Sequence, residues 1–202
     1  MSKKRLSIIA VLTIFIGLSI FLYPIFLRFY GEKNAKQLME DFKENVDEET
    51  PTEEISSEQA TTTEALPDAL LEEGVIGIIK IESIGIEYPI LEGADDSVLN
   101  IGIGHLTETA AIGAKGNAVL CGHNGSRRGI FFTPLNTVSI GDKVEIMDKM
   151  GVIHNYKIVN TRIVGPRDNS IKNTDGTEKL TLFTCANRGT ERFVCDCLPL
   201  ED

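Results

Sequence analysis

Apolar positions along this 202-residue chain follow three different patterns. Residues 6–27 carry no charge, a run long enough to cross a bilayer as one helix. Within residues 31–73 apolar side chains thin out. Ala35, Leu38, Met39, Phe42 and Val46 recur at three- and four-residue steps, which predicts one short amphipathic helix. Residues 51–66 are mostly Thr, Ser and Glu, a composition that buries too little to fold. From Gly74 onward, short apolar runs alternate with Gly, Asn and Asp. That pattern predicts strands at 75–81, 84–91, 117–121, 143–147, 155–165, 180–184 and 193–198, with helical turns at 97–100 and 131–138. Such spacing predicts an all-β barrel or sandwich. The absence of long heptads and βαβ units argues against a parallel-sheet enzyme.

Charge refines the division. Lys3, Lys4 and Arg5 precede the uncharged run, which places the N-terminus in the cytoplasm. The run ends in Tyr23-Pro24-Ile25-Phe26-Leu27-Arg28, without the small residues of a cleavage site, so it reads as an uncleaved signal anchor rather than a signal peptide. Residues 31–73 hold fourteen acidic side chains against three lysines, most of the formal charge of −10. They read as a self-repelling spacer. The expected organisation is a cytoplasmic tip and transmembrane anchor (1–28), an acidic extracytoplasmic linker (29–73) and a catalytic domain (74–202). That last part carries sixteen acidic and thirteen basic residues and no basic patch, which excludes nucleic acid as a partner.

Three pieces of sequence carry chemistry. Thr181-Leu182-Phe183-Thr184-Cys185 ends a predicted strand, and Arg192 follows seven residues later. Upstream, the run from Asn117 to Gly122 leads into His123-Asn124. A thiol attacks carbonyls well and leaves well, an imidazole carries protons, and a guanidinium holds its charge while presenting fixed donors.

A Thr-Leu-x-Thr-Cys strand end, a preceding Gly-His and a following Arg together resemble the sortases, the cell-wall transpeptidases of Gram-positive bacteria. Other segments match in order. Residues 77–81 and 84–90 look like the family's opening strand pair, with Ile81-Glu82 where Ile-Pro is usual. Residues 99–106 and Gly116-Asn117 come next, followed by Phe132-Thr133-Pro134-Leu135 and Ile140-Gly141-Asp142-Lys143-Val144.

The resemblance implies a closed β-barrel with a few short helices and no cofactor. It implies Cys185 as nucleophile, His123 as proton carrier and Arg192 as oxyanion support, with Arg188 a weaker rival. Thr184, Asn124 and His105 are the expected substrate-binding positions, His105 at the groove edge or in a structural role. The implied reaction cleaves a Leu-Pro-x-Thr-Gly-like sorting signal through a thioacyl-enzyme and transfers the surface protein to a cell-wall precursor amine, at the outer face of the membrane. The chain shows no second apolar span near its end and no Asp-Pro-aromatic triplet, which favours wall anchoring by a single-anchor class such as A or D over pilin polymerisation. A hydrolytic cysteine peptidase and a non-catalytic tethered binding module are the rivals from other classes.

The remaining candidates read more plainly. Cys121, His123, Cys195 and Cys197 lack the C-x2-C spacing of a zinc site. A disulfide among Cys121, Cys195 and Cys197 is open to an exported domain. Some sortases bind calcium near the groove, but Glu92, Asp95, Asp96 and Glu108 read as solvated carboxylates and no metal is assigned. His154 reads as a solvated turn residue, and Leu66-Pro67-Asp68-Ala69 as a turn rather than a built-in sorting motif.

Overall fold

The computed structural model describes residues 3–48, 74–125 and 131–200. Eight strands close into a barrel in the order β1-β2-β3-β4-β7-β8-β6-β5. They are β1 (Val75–Ile81), β2 (Ile86–Glu92), β3 (Ile103–His105), β4 (Gly116–Gly122), β5 (Lys143–Asp148), β6 (Ile153–Val164), β7 (Glu178–Ala186) and β8 (Glu191–Pro199). Alternation places Ile79, Ile81, Ile90, Ile103, Leu120, Ile146, Ile158, Leu180 and Leu182 in one buried interior cluster. Closure leaves no unpaired sheet edge among the described strands. The short helix α2 (Asp96–Leu99) is capped by Asp95, whose carboxylate accepts from the Ser97 and Val98 amides.

Strand directions fix which loops share a rim. The β1–β2 and β7–β8 hairpins and the C-terminal end of β4 lie at one end of the barrel, and the β5–β6 hairpin at the other. Six of the eight strand pairings are antiparallel, as the strand pattern predicts. The β2–β3 and β4–β7 pairings are parallel, which local patterning did not indicate.

Two expectations change. β6 begins at Ile153, so His154 is a strand residue paired with Ile146, not part of a turn. Its Nε2 lies 2.8 Å from Asp148 Oδ2, and its side chain is only 19% exposed. The acidic segment is also not a uniform spacer. Helix α1 runs unbroken over Lys3–Glu48, and its second half packs on the barrel. Ala35 and Phe42 are buried there, and Leu38 packs against Leu91, Val98 and Ile101. Lys43 meets Glu87 at 2.7 Å, and the Tyr88 hydroxyl donates to Glu32 at 3.2 Å. The amphipathic repeat read at 35–46 is the docked face of this helix. Residues 49–73, including the Leu66-Pro67-Asp68-Ala69 turn, lie outside the described residues. Within the uncharged run, side chains are described only from Leu12, and among the described residues no helix is long and apolar enough to cross a membrane.

Candidate active site

Three adjacent strands bring His123, Cys185 and Arg192 into one row. Across the antiparallel β7–β8 pair, Cys185 is the register partner of Arg192. Across the parallel β4–β7 pair, Gly122 is the partner of Thr184, so His123 follows β4 one position on, beside Cys185. Interior positions at this end are Leu120, Leu182, Thr184 and Phe193. The three candidates therefore fall on the outer face of the sheet, at the rim.

Local contacts hold the row in place. Thr184, 1% exposed, donates its hydroxyl to the Gly122 carbonyl at 2.7 Å, locking the two strand ends just before the histidine and the cysteine. Asn124 Nδ2 donates to the Cys185 carbonyl at 2.6 Å. Both of these sequence candidates thus touch the site, each through backbone of a catalytic candidate or its neighbour. Gly122 sits against Ile103 and Phe132, and a Cβ there would lie 2.7 Å from Ile103 Cδ1 and 3.0 Å from the Phe132 ring. The glycine before the histidine therefore answers a close packing requirement.

Burial separates the four thiols. Cys121, Cys195 and Cys197 are buried, and Cys185 is half-buried at the rim. Burial pushes the Cys121 and Cys195 thiols up to about 12, and burial likewise raises Cys197 well above its ordinary range. These three stay protonated and sealed at neutral pH. Cys195 and Cys197 point into the interior cluster, whereas Cys121 faces outward beside Phe183. The zinc quartet read as a possibility in the sequence is thereby split across two faces of the sheet, and all four cysteines are free thiols.

The arginines separate just as clearly. Arg192 Nη1 donates to the carbonyls of Gly189 at 3.0 Å and Glu191 at 2.9 Å, which holds the guanidinium over the hairpin and leaves its other nitrogens for a substrate oxygen. Arg188 sits at the exposed tip of that hairpin, in the left-handed region at φ 59°. Arg162 is bound on two sides to Asp196, at 3.0 and 3.1 Å, and donates to Ser170 at 3.0 Å. The bond to Asp196 raises its pKa further. It fastens the β6–β7 connection to the sheet, as do bonds from Asn117 Nδ2 to the Ile171 and Asn173 carbonyls.

His105 is not brought to this row. It pairs with Leu120 on the interior side of β3 and is 4% exposed. Its Nδ1 faces Glu92 at 2.9 Å, and Nε2 faces the Ala110 carbonyl at 2.9 Å. That is a structural knot between β2, β3 and the following loop. Three of the four acidic residues weighed for calcium are engaged too: Glu92 by His105, Asp95 by the α2 cap and Glu108 by Lys172 at 2.5 Å, while Asp96 lies in the first turn of α2. The hydrogen bond from Lys172 holds the Glu108 carboxyl below its usual range.

Two aromatic residues that the sequence did not flag stand behind the histidine. Phe131 packs edge-on to His123 with ring centroids 6.4 Å apart, and Tyr88 lies 5.1 Å from Phe131. Phe131 is 1% exposed and holds φ at 41°, unusual for a bulky residue, so surrounding packing overdetermines its position. No local pattern signals this, because the contact depends on closing the barrel.

Known proteins share this fold. The family model for the Sortase domain matches residues 79–199. Sortase A of Bacillus anthracis is 27% identical over 191 residues, covering 93% of this chain and 90% of that protein. Sortase A of Streptococcus agalactiae serotype III (strain NEM316) is 30% identical over 202 residues, covering 93% and 81%. The structure of a Clostridium perfringens Sortase D5 transpeptidase superposes with a TM-score of 0.62 at 25% identity, covering 85% of this chain and 99% of that one.

Proposed function

The chain belongs to the sortase family and is a cysteine transpeptidase, and from that premise we propose that His123, Cys185 and Arg192 carry its reaction on a Leu-Pro-x-Thr-Gly-like sorting signal. The observation that supports this best is the Cys185–Arg192 register pair with His123 one position beyond the Gly122–Thr184 pair. Cys185 Sγ attacks the carbonyl carbon of the scissile peptide. A C–S bond forms, the C–N bond breaks, and His123 gives a proton to the departing amine. An incoming amine then attacks the thioacyl carbon, forms the new C–N bond, returns a proton to His123 and releases the Cys185 sulfur. Arg192 stabilises the oxyanion in both steps, and fixed donors at such a point are worth roughly 3–4 kcal/mol. Thr184 and Asn124 keep the row in register.

The acceptor is a cell-wall precursor amine, a reading supported by relatives that are themselves sortases A and D. The reaction draws on no cofactor: every proton and charge is handled by the three side chains. Three of the four carboxylates weighed for calcium, Glu92, Asp95 and Glu108, already have partners within the protein, so chelation by EDTA is expected to leave turnover unchanged within about twofold, whereas a calcium-dependent site would lose most of it.

In this reading residues 1–28 form a single-pass anchor and the catalytic barrel lies outside the cell. Support comes from the uncharged run and from the exposure of Leu12, Ile14, Phe15, Ile16, Ile20 and Phe21 on several sides of the first half of α1. The deciding experiment uses the full chain in nanodiscs with fluorogenic sorting peptides, with and without an amine. Amine-stimulated cleavage that disappears in Cys185→Ala is the expected result. Cleavage that survives in that variant would overturn the mechanism, and amine-insensitive hydrolysis would make the protein a peptidase.

A further inference from the structure

Helix α1 does more than tether the barrel. It is unbroken from Lys3 to Glu48, so the apolar run and the docked half share one axis. The docked half has a defined polarity. Its leading residues, Glu32 and Ala35, sit at the rim that carries His123. Glu32 accepts from the Tyr88 hydroxyl, Tyr88 packs tilted against Phe131, and Phe131 meets His123. Ala35 is 1% exposed within the same buried cluster. Its trailing end lies at the opposite rim, where Val46 is so close to Gly151 of the β5–β6 turn that a Cβ there would meet Val46 at 2.8 Å. The helix enters at the catalytic end and crosses the barrel obliquely, Lys43 still reaching Glu87 before Val46 meets the far rim.

We propose that this docking seats the barrel with its His123–Cys185 rim toward the membrane, where it meets peptides held in the same bilayer. The inference rests on the proposed anchor. From Leu27, the last residue of the uncharged run, to Glu32 is only about 8 Å of helix. The Tyr88–Phe131 pair carries the line from there to His123. The scissile bond of a donor would then sit roughly 15–20 Å from the lipid, a span of about five to six extended residues. An extended spacer between membrane and barrel would leave that height, and which rim faces the lipid, undetermined. A rigid helix bound at both ends sets both.

The test measures height directly. Single cysteines at two exposed positions, Arg188→Cys on the catalytic rim and Lys115→Cys just before β4 on the far rim, are labelled with a fluorophore in a Cys185→Ala background. The full chain is placed in nanodiscs whose lipid headgroups carry a nitroxide quencher. Quenching at least twofold stronger at position 188 than at 115 is expected. A flexible Gly-Ser insert between Arg28 and Phe29 should equalise the two, while leaving cleavage of a soluble peptide by the otherwise native chain unchanged. A chain that inserts but shows equal or reversed quenching without the insert overturns the orientation and leaves the anchor standing. A chain that does not partition into discs overturns the anchor and, with it, this inference.

Discussion

Asn124 donates from Nδ2 to the carbonyl oxygen of Cys185 at 2.6 Å, which ties the residue after the histidine to the backbone of the cysteine. The bond crosses the gap between the end of β4 and the end of β7, where the ladder of main-chain pairs has stopped at Gly122–Thr184. Asn124→Ala removes the only side-chain bond described between the two strand ends beyond that pair. Turnover should fall about tenfold, equivalent to roughly 1.4 kcal/mol in the barrier, with KM changed less than twofold. A rise in KM at constant kcat would instead make Asn124 a substrate contact.

Arg192 and Arg188 compete for one role, and their positions predict opposite outcomes. Arg192→Ala should lower kcat by about 100- to 1000-fold, the range for losing a donor to a developing oxyanion. Arg192→Lys should recover little, because an ammonium cannot reproduce the forked donors held over the hairpin carbonyls. Arg188→Ala, at the exposed tip, should stay within about twofold of the native rate. Comparable losses at both positions would contradict the register argument.

The thiols give a titration with a definite sign. Burial raises Cys121 and Cys195 to about 12, so their neutral forms are the ones the fold favours. A thiol whose folded pKa is raised contributes stability that is intact below its unfolded value, near 8.5. That stability is lost as pH climbs from there toward 12. At pH 8, iodoacetamide should therefore label one thiol in the folded protein, Cys185, and four in denaturant. Denaturation midpoints should fall steadily above about pH 9. Rapid labelling of a second thiol at pH 8 under native conditions would show that the barrel opens on that timescale.

Much of the barrel was legible because its strands are short apolar runs bounded by turn residues: the runs at 75–81, 84–91, 117–121 and 180–184 each mark a real strand. His123, Cys185 and Arg192 were legible as candidates through the family motif, and the strand register that sets them in one row was not. What escaped the sequence is non-local. The parallel β4–β7 pairing joins segments some sixty residues apart, and no local pattern marks it. Tyr88 and Phe131 read as ordinary strand and turn residues until closure packs them behind His123. His105 read as a groove-edge or structural residue from its Gly-rich setting, and only the closed barrel shows its ring turned inward onto Glu92. The helical repeat at 35–46 was visible, but not the surface it covers, because its partner face on β1 and β2 is assembled from the other side of a long connection.

Gly122 offers the sharpest test of how the barrel aims its histidine. Its backbone is not among the left-handed glycines, so alanine is sterically the whole perturbation. The new methyl would press on Ile103 Cδ1 at 2.7 Å and on the Phe132 ring at 3.0 Å, both fully buried. Overpacking of this kind costs about 1–3 kcal/mol, a fall of several degrees in Tm for a domain of this size. Because His123 is the next residue, relief by backbone movement displaces the imbidazole from Cys185, and a displacement near 1 Å costs on the order of 100-fold in rate. Ile103→Val removes the Cδ1 atom that stands closest. The double variant Gly122→Ala, Ile103→Val should therefore recover more than half of the lost Tm, while the Phe132 contact keeps its kcat below that of Ile103→Val alone. Thermal melts and amine-dependent turnover on the four proteins of this cycle decide the matter. If Gly122→Ala melts and turns over like the native chain, the glycine before the histidine has no packing role.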